Sequence, residues 1–207
     1  MLSAGLTFES AVDARAAAGL IGPNAVIQLA AALRNASGSK DAAPRVFASA
    51  GVLHLLQVPP DAMIDEAIPA RLFEALWREL GPTQAAHIAH DAGRRTGAYV
   101  LDNRIPKIAR AVFRVLPQHL AATLLLKAIR RNAWTFAGSG TCRIAPGNPA
   151  MLTISRNPLA MPDCVWHVGV FEHLFRALVS RQARVRHVDG WMDGAPASRF
   201  EIEVAAT

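Results

Sequence analysis

Cysteine is almost absent from this chain of 207 residues: Cys142 and Cys164 are the only two, 22 positions apart. No disulfide framework is implied, and a reducing cytoplasm is the simpler setting. Long hydrophobic runs are lacking as well. The longest apolar stretch, "HLAATLLLKAI" from His119 to Ile129, is shorter than the roughly 20 residues a spanning helix needs, so a soluble protein is expected, with peripheral membrane contact left open. The start, "MLSAGLTFESAVDARAAAGL", has no basic opening followed by a continuous apolar run, and Glu9, Asp13 and Arg15 interrupt it; it does not read as a signal peptide. Enzyme fingerprints are missing too. There is no GxGxxG after a strand, no GxxxxGK[ST], no HExxH and no GxSxG, so a self-contained nicotinamide reductase lacks its expected motif. No zinc finger, RNA-recognition signature or helix-turn-helix pattern accompanies the basic charge, which argues against nucleic acid as partner.

What is present is apolar and basic. At 52% hydrophobic residues, the chain can bury a substantial core within one compact domain. With 22 Lys+Arg against 16 Asp+Glu the formal charge is +6, and the sequence pI of about 10.3 favours anionic partners such as an acidic membrane surface or a small carboxylate.

Periodicity divides the chain into an N-terminal segment, 1–21, and a single domain, 22–207. The helical half of that domain covers about 22–132 and the sheet half about 133–207. Helices are predicted over 24–34, 45–57, 68–80, 83–101, 106–116 and 118–132, separated by "NASGSKDAAP", "VPPD", "GP", "NRIP" and "LP". Beyond Ala133 the texture changes. "WTFAGSGTCRIA", "AMLTIS", "ARVRHVDG" and "SRFEIEV" carry β-branched and aromatic residues or alternate by two. In the last of these, Phe200, Ile202 and Val204 would face a core while Arg199, Glu201 and Glu203 face water. "GSG" at Gly138–Gly140 reads as a bulge or turn. The fold class expected is α+β, a helical layer packed on a small antiparallel sheet.

Three constellations carry ligand-type residues. In "DCVWHVGVFEHLF" Asp163 is a plausible helix N-cap, and Cys164, Val168, Phe171, Phe175 and Leu178 recur as an apolar stripe. His173 is rotated about 120° from His167, so one ion cannot use both. Cys164, His167 and Cys142 would need a fourth ligand at a spacing that matches no compact zinc module, and Glu172 suits an i,i+4 pair with Arg176. The helix "TQAAHIAHDAGRRTGAYVL" sets His87, His90 and Asp91 on neighbouring turns before Arg94 and Arg95. A histidine there can ligate a metal or cap a pigment with Asp91 orienting its ring; a polar face with an Asp91–Arg95 pair is the plainer reading. Gly93 and Gly97 suggest close approach by another element or a flat ligand. "NRIPKIARAVFRVLP" places Arg104, Lys107, Arg110 and Arg114 in a basic stripe, with Lys127, Arg130 and Arg131 beyond it; such a face is ordinarily solvated, yet it can also hold carboxylates.

"GLIGPNAVIQLAAAL", the helical first half and "TCRIAPGNPAMLTISRNPLAMPDCVWHVGVFEHLFRALV" together resemble the BchJ-type bacteriochlorophyll-biosynthesis proteins of the 4-vinyl reductase domain family. The resemblance covers nearly the whole chain, and "IGPNAVIQL" is its most specific piece. It implies an α+β fold shared with vesicle-tethering TRAPP subunits and with sensor domains of aromatic-responsive activators, a pocket for a hydrophobic ligand, and a homodimer. It also implies work at the magnesium-porphyrin or protochlorophyllide stage, and the family name implies reduction of the 8-vinyl (formerly 4-vinyl) group. The sensor branch draws metal-binding cysteines from the position of Cys164 and from the loop before the last strand; this chain has Gly190 or Trp191 and Ser198 there, so no metal site of that type is expected.

With no nicotinamide or flavin fingerprint and no intrinsic cofactor expected, the leading expectation is an accessory protein. It would bind or deliver a tetrapyrrole, Mg-protoporphyrin or divinyl protochlorophyllide, to pathway enzymes such as Mg-chelatase or a methyltransferase. The alternatives are an 8-vinyl reductase and a scaffold that binds no pigment. His87 and His90 are the expected magnesium or pigment contacts, Arg94, Arg95, Lys107 and Arg110 the expected propionate contacts, and His167 a minor candidate for lining the pocket.

Overall fold

The computed structural model describes residues 19–36, 41–189 and 197–204. Most of segment 1–21, together with Gly190 and Trp191, therefore lies outside the described residues. The strand β1 (Leu20–Ile21) pairs antiparallel with β2 (Ile64–Asp65). Between them run α1 (Asn24–Asn35), α2 (Ala42–Ser49) and a short 3-10 turn, Leu53–Leu56. The helix predicted over 45–57 is thus shorter and begins earlier, inside the stretch read as a loop. Pro44 fits the first turn of α2, where a missing N–H costs nothing, and Gly51 at φ +73° ends its continuation.

The long helix α3 (Ala67–Arg104) contains both helices predicted over 68–80 and 83–101. They join at a kink, where Gly81 adopts φ 74° and ψ 167° ahead of Pro82. A left-handed glycine before proline breaks the helical ladder without leaving room for a separate loop. Helices α4 (Lys107–Val115) and α5 (Gln118–Arg131) follow, preceded by Pro106 and Pro117 respectively.

The sheet has the order β3-β4-β6-β5, antiparallel throughout, formed by β3 (Thr141–Ala145), β4 (Ala150–Ser155), β5 (Arg184–Asp189) and β6 (Ala197–Glu203). The run predicted as strand from Trp134 is strand only from Thr141; Ala133–Thr135 is a 3-10 turn. The reason is a tether. The Glu66 carboxylate accepts hydrogen bonds of 2.7 Å from both the N–H and the hydroxyl of Ser139, and a Cβ on Gly138 would collide with it. "GSG" is therefore a turn fixed to the helical layer. In β6 Phe200 and Ile202, and just beyond it Val204, are buried as the alternation predicts, Arg199 and Glu203 are exposed, and Glu201 is half-buried. Register sets Leu152 opposite Phe200 and Ile154 opposite Ser198.

Between the two layers lies α6 (Val165–Leu178). Trp166, His167, Gly169, Val170, Phe171, Leu174, Phe175 and Leu178 are buried, so more than one face of this helix is covered, as expected of a core helix. One side meets the sheet, where the Phe171 and Phe200 rings lie edge to face at 5.3 Å. The other meets α3 backbone to backbone: a Cβ on Gly93 would overlap the Trp166 carbonyl, one on Gly97 would stand 2.9 Å from the Val170 carbonyl, and one on Gly169 2.5 Å from that of His90. The two α3 glycines thus admit a helix. Asp163 is not the cap of α6: it sits at φ 53°, Cys164 follows at φ 42°, and no side chain caps the helix.

Candidate functional site

On α3, His87 is exposed and borders an open hollow of about 530 Å³ lined by Ala36, Leu80, Gly81, Pro82, Thr83, Gln84 and Ile88. One turn on, His90 Nε2 lies 3.9 Å from Glu172 Oε2, and the other Glu172 oxygen forms an ion pair with Arg176 Nη2 at 2.8 Å. The Glu172–Arg176 pair read from the sequence is present, and it brings a carboxylate to His90.

Asp91 accepts from Arg94 Nη2 and Arg95 Nε, each at 2.6 Å. Burial pushes the Asp91 carboxyl upward, but the hydrogen bonds from Arg95 and Arg94 outweigh it and hold the group below the ordinary carboxylate range. Both guanidinium groups thus have an internal anion. Arg110 donates to Asp102 at 3.1 Å, and Lys107 is exposed at the start of α4. His87 and Asp102 are fifteen residues apart on one helix, about 22 Å along its axis at 1.5 Å per residue. Of the six residues, His87, His90, Arg94 and Arg95 thus lie on α3, whereas Lys107 and Arg110 lie on α4, beyond the end of α3 at Arg104.

His167 is wholly enclosed. Its ring has Trp166 at 4.9 Å, Phe200 at 5.6 Å, Phe171 at 6.0 Å and Phe136 at 6.3 Å between centroids. Burial pushes its pKa down to about 3, with the Phe136 backbone acting weakly upward and His187 downward. Neither ring nitrogen meets the distance and angle of a formed hydrogen bond among the described residues, and neither does Trp166 Nε1. Such buried donors are rare in folded proteins and each calls for a reason. Sequence reading ranked His167 low because periodicity gives a facing, not the depth of the layer it faces.

Cys164 Sγ lies 3.4 Å from Ser198 Oγ, and Asn157 Nδ2 donates to Ser198 Oγ at 3.2 Å. Cys164 and Ser198, two of the positions at which the resemblance would set thiols, therefore meet as a thiol and a hydroxyl. Burial pushes the Cys142 thiol up to about 12 against the opposing charge of Arg130, which makes it a poor nucleophile. Among the described residues no three His, Cys, Asp or Glu side chains gather as a metal site. No described helix is long and apolar enough to cross a membrane.

Comparison with known proteins now decides the family. The chain is 42% identical over 188 residues to the "Bacteriochlorophyll synthase 23 kDa chain" of Cereibacter sphaeroides, spanning 88% of this chain and 89% of that one. It is 39% identical over 175 residues to the protein of the same name from Rhodobacter capsulatus, spanning 81% and 79%. The chain belongs to the bacteriochlorophyll synthase 23 kDa chain family. No family model matches it. In three dimensions it is similar to H-NOX domains: one from a study of heme distortion in the H-NOX family has TM-score 0.56 at 14% identity, covering 90% of this chain and 96% of that one. A Cs H-NOX mutant has TM-score 0.55 at 15% identity, covering 88% and 96%. At such identities the likeness concerns the fold, and it agrees with the α+β class read from the sequence. This member of the 23 kDa family thus joins a helical layer and a four-stranded antiparallel sheet across one buried helix.

Proposed function

We propose that the chain works in bacteriochlorophyll biosynthesis as a binding or delivery protein for a magnesium tetrapyrrole, Mg-protoporphyrin or divinyl protochlorophyllide. The observation that carries the reading is the His87 hollow: an exposed imidazole at the mouth of an apolar depression, on a chain whose relatives are named for bacteriochlorophyll synthesis. An imidazole nitrogen is a suitable axial donor for such a metal, and apolar walls suit a flat macrocycle. His90, with the Glu172 carboxylate 3.9 Å from its Nε2, is the second donor. Arg94 and Arg95 are the cations nearest for propionates, once released in part from Asp91. The heme studied in the H-NOX family lends support to a tetrapyrrole ligand on this fold.

A second reading rests on His167, an imidazole wholly buried among Trp166, Phe136, Phe171 and Phe200; there the pigment would enter between α6 and the sheet. Titration of the protein with Mg-protoporphyrin, read by its Soret band, tests the proposal. Loss of binding in His87→Ala supports the hollow, while loss only in His167→Phe supports the buried seam. Conversion of divinyl protochlorophyllide to its monovinyl form by the purified protein with NADPH would instead establish the vinyl reductase.

A further inference from the structure

From Asn103 to Pro162 the sequence contains no acidic residue, yet nine Lys+Arg fall there. Of the 22 Lys+Arg in the chain, 13 remain elsewhere to face all 16 Asp+Glu. The basic character of the protein is therefore confined to one stretch, and α4 and α5 open it.

Those two helices also carry most of the exposed apolar bulk. Among the described residues eight large hydrophobic side chains are exposed, and five of them are Ile108, Val112, Val115, Leu120 and Leu124. Ile108 and Val115 each leave 81% of their surface open. On α4 these residues stand at i, i+4 and i+7, forming one stripe, whereas Phe113, the buried residue of the helix, points to a different side. Lys107 and Arg114 flank the stripe at helical spacing. On α5 Leu120, Leu124, Lys127 and Arg131 recur at i, i+4, i+7 and i+11, all exposed, opposite the buried Leu125, Leu126 and Ile129. Ordinary helix faces turned to water are not built this way.

We propose that α4 and α5 form a docking surface for an anionic lipid bilayer. Aliphatic side chains enter the boundary between headgroups and acyl chains, and the neighbouring Lys and Arg extend their stems upward to anionic headgroups. A juxtaposed second copy is disfavoured by charge, because a two-fold interface sets the same basic face against itself. An acidic protein would meet the charge, but the patch offers it no exposed aromatic anchor of the kind that dominates protein hot spots. Anionic lipid matches both the charge and the aliphatic character. The inference is independent of pigment binding and is tested without pigment.

The experiment is sedimentation of the full chain with vesicles, either phosphatidylcholine alone or phosphatidylcholine with about three-tenths phosphatidylglycerol. Binding is expected only to the anionic vesicles and should weaken with added salt. The pairs Ile108→Asp with Val115→Asp, and Lys107→Glu with Arg114→Glu, should each reduce it at least about tenfold while circular dichroism stays unchanged, because all four side chains are exposed. The control pair Leu53→Asp with Val58→Asp, two exposed apolar residues elsewhere, should bind as the parent does. Equal binding to neutral vesicles, no binding to anionic ones, or equal loss in the control pair would overturn the proposal. So would an apolar pair variant that splits a dimer in the ultracentrifuge yet leaves vesicle binding intact.

Discussion

A methyl group is more than Gly93 can accept. Its Cβ would overlap the Trp166 carbonyl, and Gly169 returns the same constraint toward His90 and Arg94. Gly93→Val should therefore lower unfolding free energy by at least about 2 kcal/mol, the cost of overpacking a seam where backbone, not a flexible side chain, must move. Denaturant unfolding beside Gln84→Val, at an exposed position of the same helix, measures it. The need for close approach at Gly93 and Gly97 was legible in their spacing. What approached was not, because nothing local separates a helix from a ligand.

His167 sets a pH dependence. Its folded pKa lies near 3, against an ordinary 6.5, so between those values the unfolded chain binds more protons. Stability is complete above 6.5 and falls as pH drops, by at most about 1.4 kcal/mol per unit from this group. In His167→Phe that slope disappears, and the variant gains on the parent as pH is lowered from 6.5 toward 4. Equilibrium unfolding at a series of pH values shows this directly; parallel curves for parent and variant would rule out a buried neutral imidazole. Sequence alone marked the residue and its lack of a partner for an ion, not its enclosure by four rings.

At the scale of elements, the joints are where sequence reading and structure part. Helix periodicity found α1, both arms of α3, α4 and α5, since amphipathic stripes repeat over several turns. It missed the early start of α2, where Pro44 sits in the first turn rather than ending a loop, and the tether that shortens β3, which depends on a contact far along the chain. The Glu66 carboxylate is the clearest case, holding Ser139 across 73 positions. Glu66→Gln should cost about 1–3 kcal/mol through loss of a charge-assisted pair of hydrogen bonds. Hydrogen exchange should then speed up at Ser139 and Gly140, with β4 and β6 unaffected. If exchange across the turn is unchanged, the tether is not what ends the strand. The Asp163 cap failed because the chain enters α6 through two left-handed residues, Asp163 and Cys164, a route invisible in a cap motif.

At the scale of the molecule, α6 joins a helical layer to a sheet, and charge is divided between an acid-free basic stretch and the remainder. The α+β class followed from the order of periodicities, helical before Ala133 and alternating after it. The candidate site was legible only as a list of residue types. The structure divides that list, putting His87 and His90 on the second arm of α3 and Lys107 and Arg110 on α4, and a kinked helix of 38 residues could not be drawn from the sequence. The division predicts unequal effects on pigment affinity: His87→Ala and His90→Ala should weaken it, whereas Lys107→Ala should leave it nearly unchanged. The most direct measurement is titration of the purified parent protein with Mg-protoporphyrin while following the Soret band. The account predicts a saturable shift that His87→Ala weakens at least about tenfold, as loss of an axial donor would; no shift, or an identical curve for the parent and the His87→Ala and His90→Ala variants, would contradict it.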